Sequence, residues 1–203
     1  MYVPAQFRPV SGSEIREFMS NGRFGILVTA ENGLPVATHI PFEAIFGKDD
    51  EMVLEGHLSA ANPQAGKLTG TGLAIFSGPD AYVSSSWYDH PNVPTWNYIA
   101  VHAYGNIEEL RGAVLSDMME RQLSKHEKSS EKPVTMQSLP ADYLNSHLKG
   151  IHCFRMRCTK IEAAFKLSQN RSDKDHAAII EELMKGTTAE QEIALQMKKM
   201  RGS

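Results

Sequence analysis

Between Phe24 and Leu110, hydrophobic and polar positions alternate in short runs. That period of two marks half-buried strands. The runs FGILVTAE, LPVATHIPFEAIF, MVLEGHLS, GLAIFSG, AYVSSSWY and TWNYIAVHAYGNIEEL each read as a strand. Asn32-Gly33, between the first two, is a hairpin turn signal, and GKDDE reads as a second turn. ANPQAGKL breaks the series. With Asn62 as N-cap and Pro63 at the first position, it reads as a short helix. Strands joined by tight turns predict a mainly antiparallel sheet that closes into a barrel.

Elsewhere the period lengthens to that of a helix. Ser11 and Glu14 fit a capping box, Ile15, Phe18 and Met19 share one face, and Gly22 ends the segment. AVLSDMMERQLSKHEK reads as a helix with Val114, Leu115, Met118, Met119 and Leu123 inward. ADYLNSHLKG reads as a shorter helix closed by Gly150, after a mobile loop, EKSSEKPVTMQSLP. IHCFRMRCTKIEAAFKLS returns to strand character. DKDHAAIIEELMK and TAEQEIALQMKKM finish as helices, the last opened by Thr188 and Gln191. The fold class is β-rich α+β.

Composition narrows the function classes. The chain has 203 residues, 41% hydrophobic and 22% charged, with a net charge of −3. That balance draws it neither to DNA nor to an anionic membrane as a whole. Cys153 and Cys158 lie an odd number of positions apart on one strand, so they face opposite ways and do not pair. Two reduced thiols, no signal core and no membrane-length apolar run predict a soluble, cytoplasmic protein.

The chemistry-bearing residues are scattered. The eight histidines show no HExxH and no pair at helical spacing, so no metal is expected. VSSSWY lacks the GxSxG elbow of a serine hydrolase. EGHLSAANPQAGKL carries His57 and Ser59 at a strand end, then Asn62 and Lys67 at a helix start, where exposed amides and a cation attract phosphate. A plain capped helix explains the same residues. KLSQNRSDKD sets Lys166, Ser168, Gln169, Asn170 and Arg171 between a strand and a helix. Amides suit a heterocycle edge and a guanidinium suits an anion, while a solvated loop has the same composition. In VPTWNYIAVHAYG, alternation puts Trp96, Tyr98, Ala100, His102 and Tyr104 on one face. Thr95, Asn97, Ile99, Val101 and Ala103 fall on the other. The second face suits a packed interior; the first suits a flat ligand, a partner chain or a structural strand.

MYVPAQF, ATHIPF, EGHLSAANP, FSGPDAYVSSSWY, VPTWNY and FKLSQNR occur in this order. Together they resemble the PaiB-type FMN-binding negative transcriptional regulators, from Met1 to about Leu183. VPTWNY and KLSQNR are the most specific pieces. The resemblance implies a split β-barrel of the FMN-binding, pyridoxamine-phosphate-oxidase-like kind with peripheral helices, acting as a homodimer with FMN at the subunit interface. It implies a barrel domain over 1–170, including inserted helices at 111–149, and a C-terminal helical extension over 171–203. Carried over by motif, Thr38 and His39 edge the flavin, and His57, Ser59, Asn62 and Lys67 surround its phosphate. Trp96, Asn97 and Tyr98 wall the ring, from the second subunit, and Lys166, Gln169, Asn170 and Arg171 close the site. Ala60 stands where such proteins often carry a basic residue, and Ser85 where they carry proline.

The implied role is negative regulation of transcription, connected with sporulation and degradative enzymes. The partner would be DNA or a transcription-related protein. No helix pair reads as a helix-turn-helix, and the one basic cluster is Lys198, Lys199 and Arg201. The alternatives are an FMN-dependent oxidoreductase acting on a small molecule, in which the flavin supplies the chemistry, and a dimeric module with a vestigial flavin site. Scattered histidines are all that favours a haem variant.

Overall fold

A computed structural model describes residues 1–9, 11–20, 22–48 and 51–201. Six strands form: β1 (Arg23–Glu31), β2 (Leu34–Phe46), β3 (Met52–Ser59), β4 (Gly70–Val83), β5 (Thr95–Leu110) and β6 (Ile151–Lys166). They hydrogen-bond in the order β1-β2-β3-β6-β5-β4 and close into a barrel. The helices are α1 (Gly12–Met19), α2 (Gly112–Glu127), α3 (Ala141–Lys149), α4 (Asp173–Leu183) and α5 (Thr188–Arg201). This is the expected β-rich α+β architecture. The chain divides into two compact units, one of residues 1–15, 76–102 and 162–203, the other of 16–75 and 103–161.

In the second of these units, β1 and β2 make the hairpin that Asn32-Gly33 announces. Asn32 has φ 50° and Gly33 φ 81°, the paired positive values of a type I′ turn. The register runs from Arg23↔Phe42 to Glu31↔Leu34, and β3 pairs antiparallel with β6 from Val53↔Arg157 to Ser59↔Ile151. Leu27, Leu54, Phe154 and Met156 are buried, with the Phe42 and Phe154 rings edge to face at 6.1 Å. Gly105 sits where any Cβ would strike the Arg157 carbonyl, so the close approach of β5 and β6 there requires glycine. Within this core Glu55 is 1% exposed and accepts from Arg155 (2.6 and 2.9 Å) and from Arg121 of α2 (2.6 Å). A buried carboxylate is stable only when paired and hydrogen-bonded in this way.

Helix α2 adds Met118 to a cluster with Leu110 and Cys153, flanked by Leu115 and Met119. Val114, expected inward, is 45% exposed; it lies at the first turn, before the helix meets the cluster. The segment expected as a mobile loop carries a 3₁₀ turn, Met136–Ser138, with a Thr135–Ser138 capping box. It is tied back to α2 where Val134 and Met136 N–H groups donate to Glu127 and Glu120. Of the expected GKDDE turn, Asp49 and Asp50 lie outside the described residues; Gly47 N–H donates to Glu51 O at 2.9 Å.

Two other expectations change. The helix expected over ANPQAGKL is a 3₁₀ turn, Ala65–Lys67. Asn62, Ala65 and Lys67 all donate three residues back rather than four, and the Asn62 side chain takes the Gln64 N–H at 2.9 Å. An Asx-type bond of this kind competes with helix formation. The strands expected over GLAIFSG and AYVSSSWY merge into one strand, β4, which ends at Val83, and Ser85–Trp87 is a 3₁₀ turn. The buried positions of β4 are even through Phe76 and odd from Ala81, so the alternation changes phase across Gly78-Pro79.

The other unit contains α4 and α5, which pack through Ile179, Leu183, Ile193 and Met197, all buried. Ser11 and Glu14 make the expected capping bonds at α1, the Glu14 carboxylate accepting from the Ser11 N–H at 3.0 Å and from its hydroxyl at 2.8 Å. The start of α5 shifts by one residue. Thr187, not Thr188, exchanges bonds with Glu190 at 2.6, 2.9 and 3.4 Å.

Candidate functional site

The β5 alternation is as the sequence predicts. Asn97, Ile99, Val101 and Ala103 are buried, and Trp96, Tyr98, Ala100, His102 and Tyr104 are not. Trp96 is 53% exposed, and Tyr82 of β4 meets it edge-on at 5.8 Å and 68°. Two large rings held half in solvent form a surface suited to stacking. Tyr82 had no local signal in the sequence, because its partnership with Trp96 depends on how the strands lie.

Asn97 faces the other way and is fully buried. Its Oδ1 accepts from the Ser168 hydroxyl at 3.0 Å, and its Nδ2 donates to Met197 Sδ at 3.5 Å. Ser168 adopts φ 59°, a left-handed conformation that a non-glycine residue holds only with support. Gln169 is also engaged internally. Its Oε1 accepts from Leu167 N–H at 2.8 Å, and its Nε2 donates to Phe165 O and to Met200 Sδ, the latter at 3.4 Å. Asn97 and Gln169 therefore shape the 166–171 loop from within, while Asn170 is exposed and Lys166 and Arg171 are half-buried. Lys166 Nζ donates to the Thr95 hydroxyl and lies 5.8 Å from the Phe7 ring centroid. The Arg171 guanidinium lies 5.2 Å over the Tyr88 ring. Burial, with the Arg171 charge second, pulls the Lys166 pKa below its usual value.

In the other unit, Thr38 and Asn62 are brought together by a residue the sequence reading missed. Gln64 is 2% exposed. Its Oε1 accepts from the Thr38 hydroxyl at 2.6 Å, and Asn62 Nδ2 donates to Thr38 Oγ1 at 3.0 Å. Gln64 Nε2 donates to Thr29 Oγ1 at 3.0 Å and to the Val36 and Leu27 carbonyls at 3.3 and 3.4 Å. The 60–68 turn is thus pinned to the β1–β2 hairpin. His39 is exposed and stacks on the exposed Phe24 ring at 6.3 Å and 21°.

Ser59 Oγ accepts from Ala61 N–H at 3.3 Å, and the Lys67 ammonium pairs with Glu31. His57 faces α2. It lines a cavity of about 180 Å³ with Pro41, Phe42, Met119 and Leu123. Burial lowers its pKa, opposed by a hydrogen bond with Gln122. Glu43, Gln122 and His126 complete the lining, and the buried His57 Nδ1 has no hydrogen-bond partner among the described residues.

Both cysteines are free thiols. Burial raises Cys153 to about 11, with Glu55 adding to it, and Cys158 to about 12, so both stay protonated and unreactive near neutrality. Asp89, His90 and Asp175 place ligand-type atoms within 4.8 Å of one another. Their surroundings are cationic, however: Lys174 pairs with Asp89 and holds it at about 2, with His90 assisting. Asp175 is bonded to Ser172, the N-cap of α4, at 2.8 Å. Among the described residues no helix is long and apolar enough to cross a membrane.

The six-stranded closed barrel is that of a split β-barrel, and the half-exposed Trp96 indole leaves one aromatic face on β5 open to a ligand. Residues 1–160 match the family described as "Putative FMN-binding domain". The chain belongs to this FMN-binding family and is of the PaiB type; FMN is the cofactor that membership assigns. It is 42% identical over 185 residues to "Protease synthase and sporulation protein PAI 2" of Bacillus subtilis (strain 168), covering 90% of this chain and 89% of that one. Among solved structures it is similar to an FAD and heme binding protein from Mycobacterium smegmatis. There the TM-score is 0.56 at 14% identity, covering 84% of this chain and 79% of that one. It is also similar to the flavocytochrome Anf3 from Azotobacter vinelandii, with a TM-score of 0.55 at 14% identity, covering 81% and 72%. At these identities the structural likenesses establish the fold.

Proposed function

We propose that the protein is a homodimeric, FMN-binding negative regulator of transcription that acts through a protein partner. The observation that carries the flavin part is the β5 face. Trp96 stands half in solvent on a strand whose alternate positions are core, and no packing requirement explains an indole there. Trp96 and Tyr98 wall the flavin ring, with the wall contributed by the second subunit. His39 is a further candidate contact on the outward side of β2, whereas Thr38 points the other way, to Gln64 and Asn62, and Asn97 and Gln169 act by shaping the elements that carry the outward residues. FMN, when bound, supplies one- or two-electron redox chemistry.

The regulatory part rests on the sporulation-related name of the Bacillus subtilis relative. Action through a protein follows from charge. The net charge is −3, and within the basic end of α5 the Arg201 guanidinium is engaged by Asp173 and the Arg171 carbonyl. Beside it stand the exposed Lys198 and Lys199, a basic patch of two residues against the many phosphates a duplex presents. The test is retention of duplex DNA by the FMN-loaded protein across a salt series, run beside its native mass. A dimer without salt-sensitive retention supports the reading. Salt-sensitive retention overturns the protein-mediated route, and a monomer overturns the shared ring wall.

A further inference from the structure

Lys166 and Arg171 differ from the ion-paired cations of their unit, and from the exposed Arg8 and Lys198 by being half-buried. In the same unit Lys174 pairs with Asp89, Lys185 with Glu182 and Arg201 with Asp173. Among the described residues, no carboxylate lies within ion-pair distance of Lys166 or Arg171; each is held instead by neutral groups. Lys166 has the Thr95 hydroxyl and the Phe7 ring, and Arg171 has the Tyr88 ring. Ring stacking occupies the face of a guanidinium and leaves its edge donors free. Both side chains are half-buried, so water compensates them only in part.

The loop between them is rigidly specified. Arg171 N–H closes a turn on Ser168 O at 3.1 Å, Ser168 is anchored on Asn97 at 3.0 Å, and Arg201 grips the Arg171 carbonyl. A built loop that presents two cations without a counter-ion is suited to an oxyanion with several acceptor oxygens. The depressed pKa of Lys166 is consistent with a cation lacking its partner. By contrast, the Lys67 ammonium, which the sequence placed at the phosphate, already has Glu31.

We propose that Lys166, Arg171 and the Thr95 hydroxyl form an anion-binding subsite for a phosphate group. The group is either the phosphate of FMN, in which case the inference rests on the flavin reading above, or a free phosphate ligand. Calorimetric titrations of FMN, riboflavin and inorganic phosphate into the wild-type chain, Lys166→Met, Arg171→Met and Lys67→Met separate these sources.

If the subsite holds the flavin phosphate, each of the first two variants shrinks the preference for FMN over riboflavin about tenfold, with riboflavin affinity unchanged. If it holds a free phosphate, inorganic phosphate binding is lost in both variants and the FMN preference stays. The proposal is overturned if neither quantity moves in either variant, or if Lys67→Met alone abolishes the FMN preference. A wild-type chain that binds neither flavin sinks the flavin reading, and the inorganic phosphate titration then decides the subsite by itself. Thermal melts of the ligand-free variants within a few degrees of wild type show that the losses are local.

Discussion

Asn97 and Met197 are a hundred residues apart in sequence, yet the Asn97 amide donates to the Met197 sulfur at 3.5 Å inside the protein. The same Asn97 accepts from Ser168 at 3.0 Å. One buried amide therefore joins β5, the loop after β6, and α5.

Asn97→Ala leaves the Ser168 hydroxyl buried without its acceptor and opens a small void. We expect a loss of about 2 kcal/mol, read as a lower denaturant midpoint at unchanged slope. Met197→Leu keeps the volume and removes only a weak sulfur acceptor, and costs under about 1.5 kcal/mol. Equal effects from the two would show that packing, not the Ser168 bond, dominates at this point.

Trp96→Ala removes exposed rather than core surface. The ligand-free fold should stay within about 0.5 kcal/mol of wild type. Affinity for FMN should fall about tenfold or more, the scale of a lost aromatic stack on a flat heterocycle. Flavin fluorescence titration and chemical denaturation check both halves. Unchanged flavin affinity together with an unchanged native mass would put the ring against some other face.

Glu55→Gln should be the more damaging change in the Arg121–Glu55–Arg155 group. It takes from the Arg155 guanidinium, whose side chain is 24% exposed, its close charge partner and leaves only Glu108 at 3.8 Å, a loss of roughly 3 kcal/mol. The Arg121 side chain is 50% exposed, and Arg121→Met should cost under about 1 kcal/mol. Urea unfolding of the two variants gives the order directly.

The histidines set a pH dependence. Burial is the leading cause that lowers the pKa of His57, His102 and His176 below the usual 6.5. The unfolded chain then takes up protons more readily than the folded one, and stability falls as pH drops below about 6.5 toward the folded values. Above that range all three are neutral in both states and contribute no slope. His57→Gln should flatten the decline between about pH 6.5 and 5. An identical pH profile for the variant would assign the effect to other groups.

Much of the fold was legible because alternation is a local signal. The two faces of β5, the Asn32-Gly33 hairpin and the Ser11–Glu14 cap each follow from residues a few positions apart. The changed expectations turn on competition or distance. Asn62 spends its side chain on Gln64 N–H, so a residue that reads as a helix cap makes a tight turn. The phase change in β4 at Gly78-Pro79 made one strand look like two. At the candidate site, Trp96 was visible from its strand, but Tyr82, Gln64 and Met197 were not. Each is an ordinary residue in its own segment and gains a role only from a partner on another element. Lys67 and Lys166 look alike in sequence, and only the presence of Glu31 beside one of them separates them.

The matched family region ends at residue 160, whereas the groups that hold Asn97, Gln169 and the Arg171 carbonyl come from Met197, Met200 and Arg201. Helix α5 thus behaves as an internal splint for the loop it touches. A fusion partner or tag joined just past Arg201 would pull on that splint first, and a poorly placed one would lower ligand affinity before it lowered solubility.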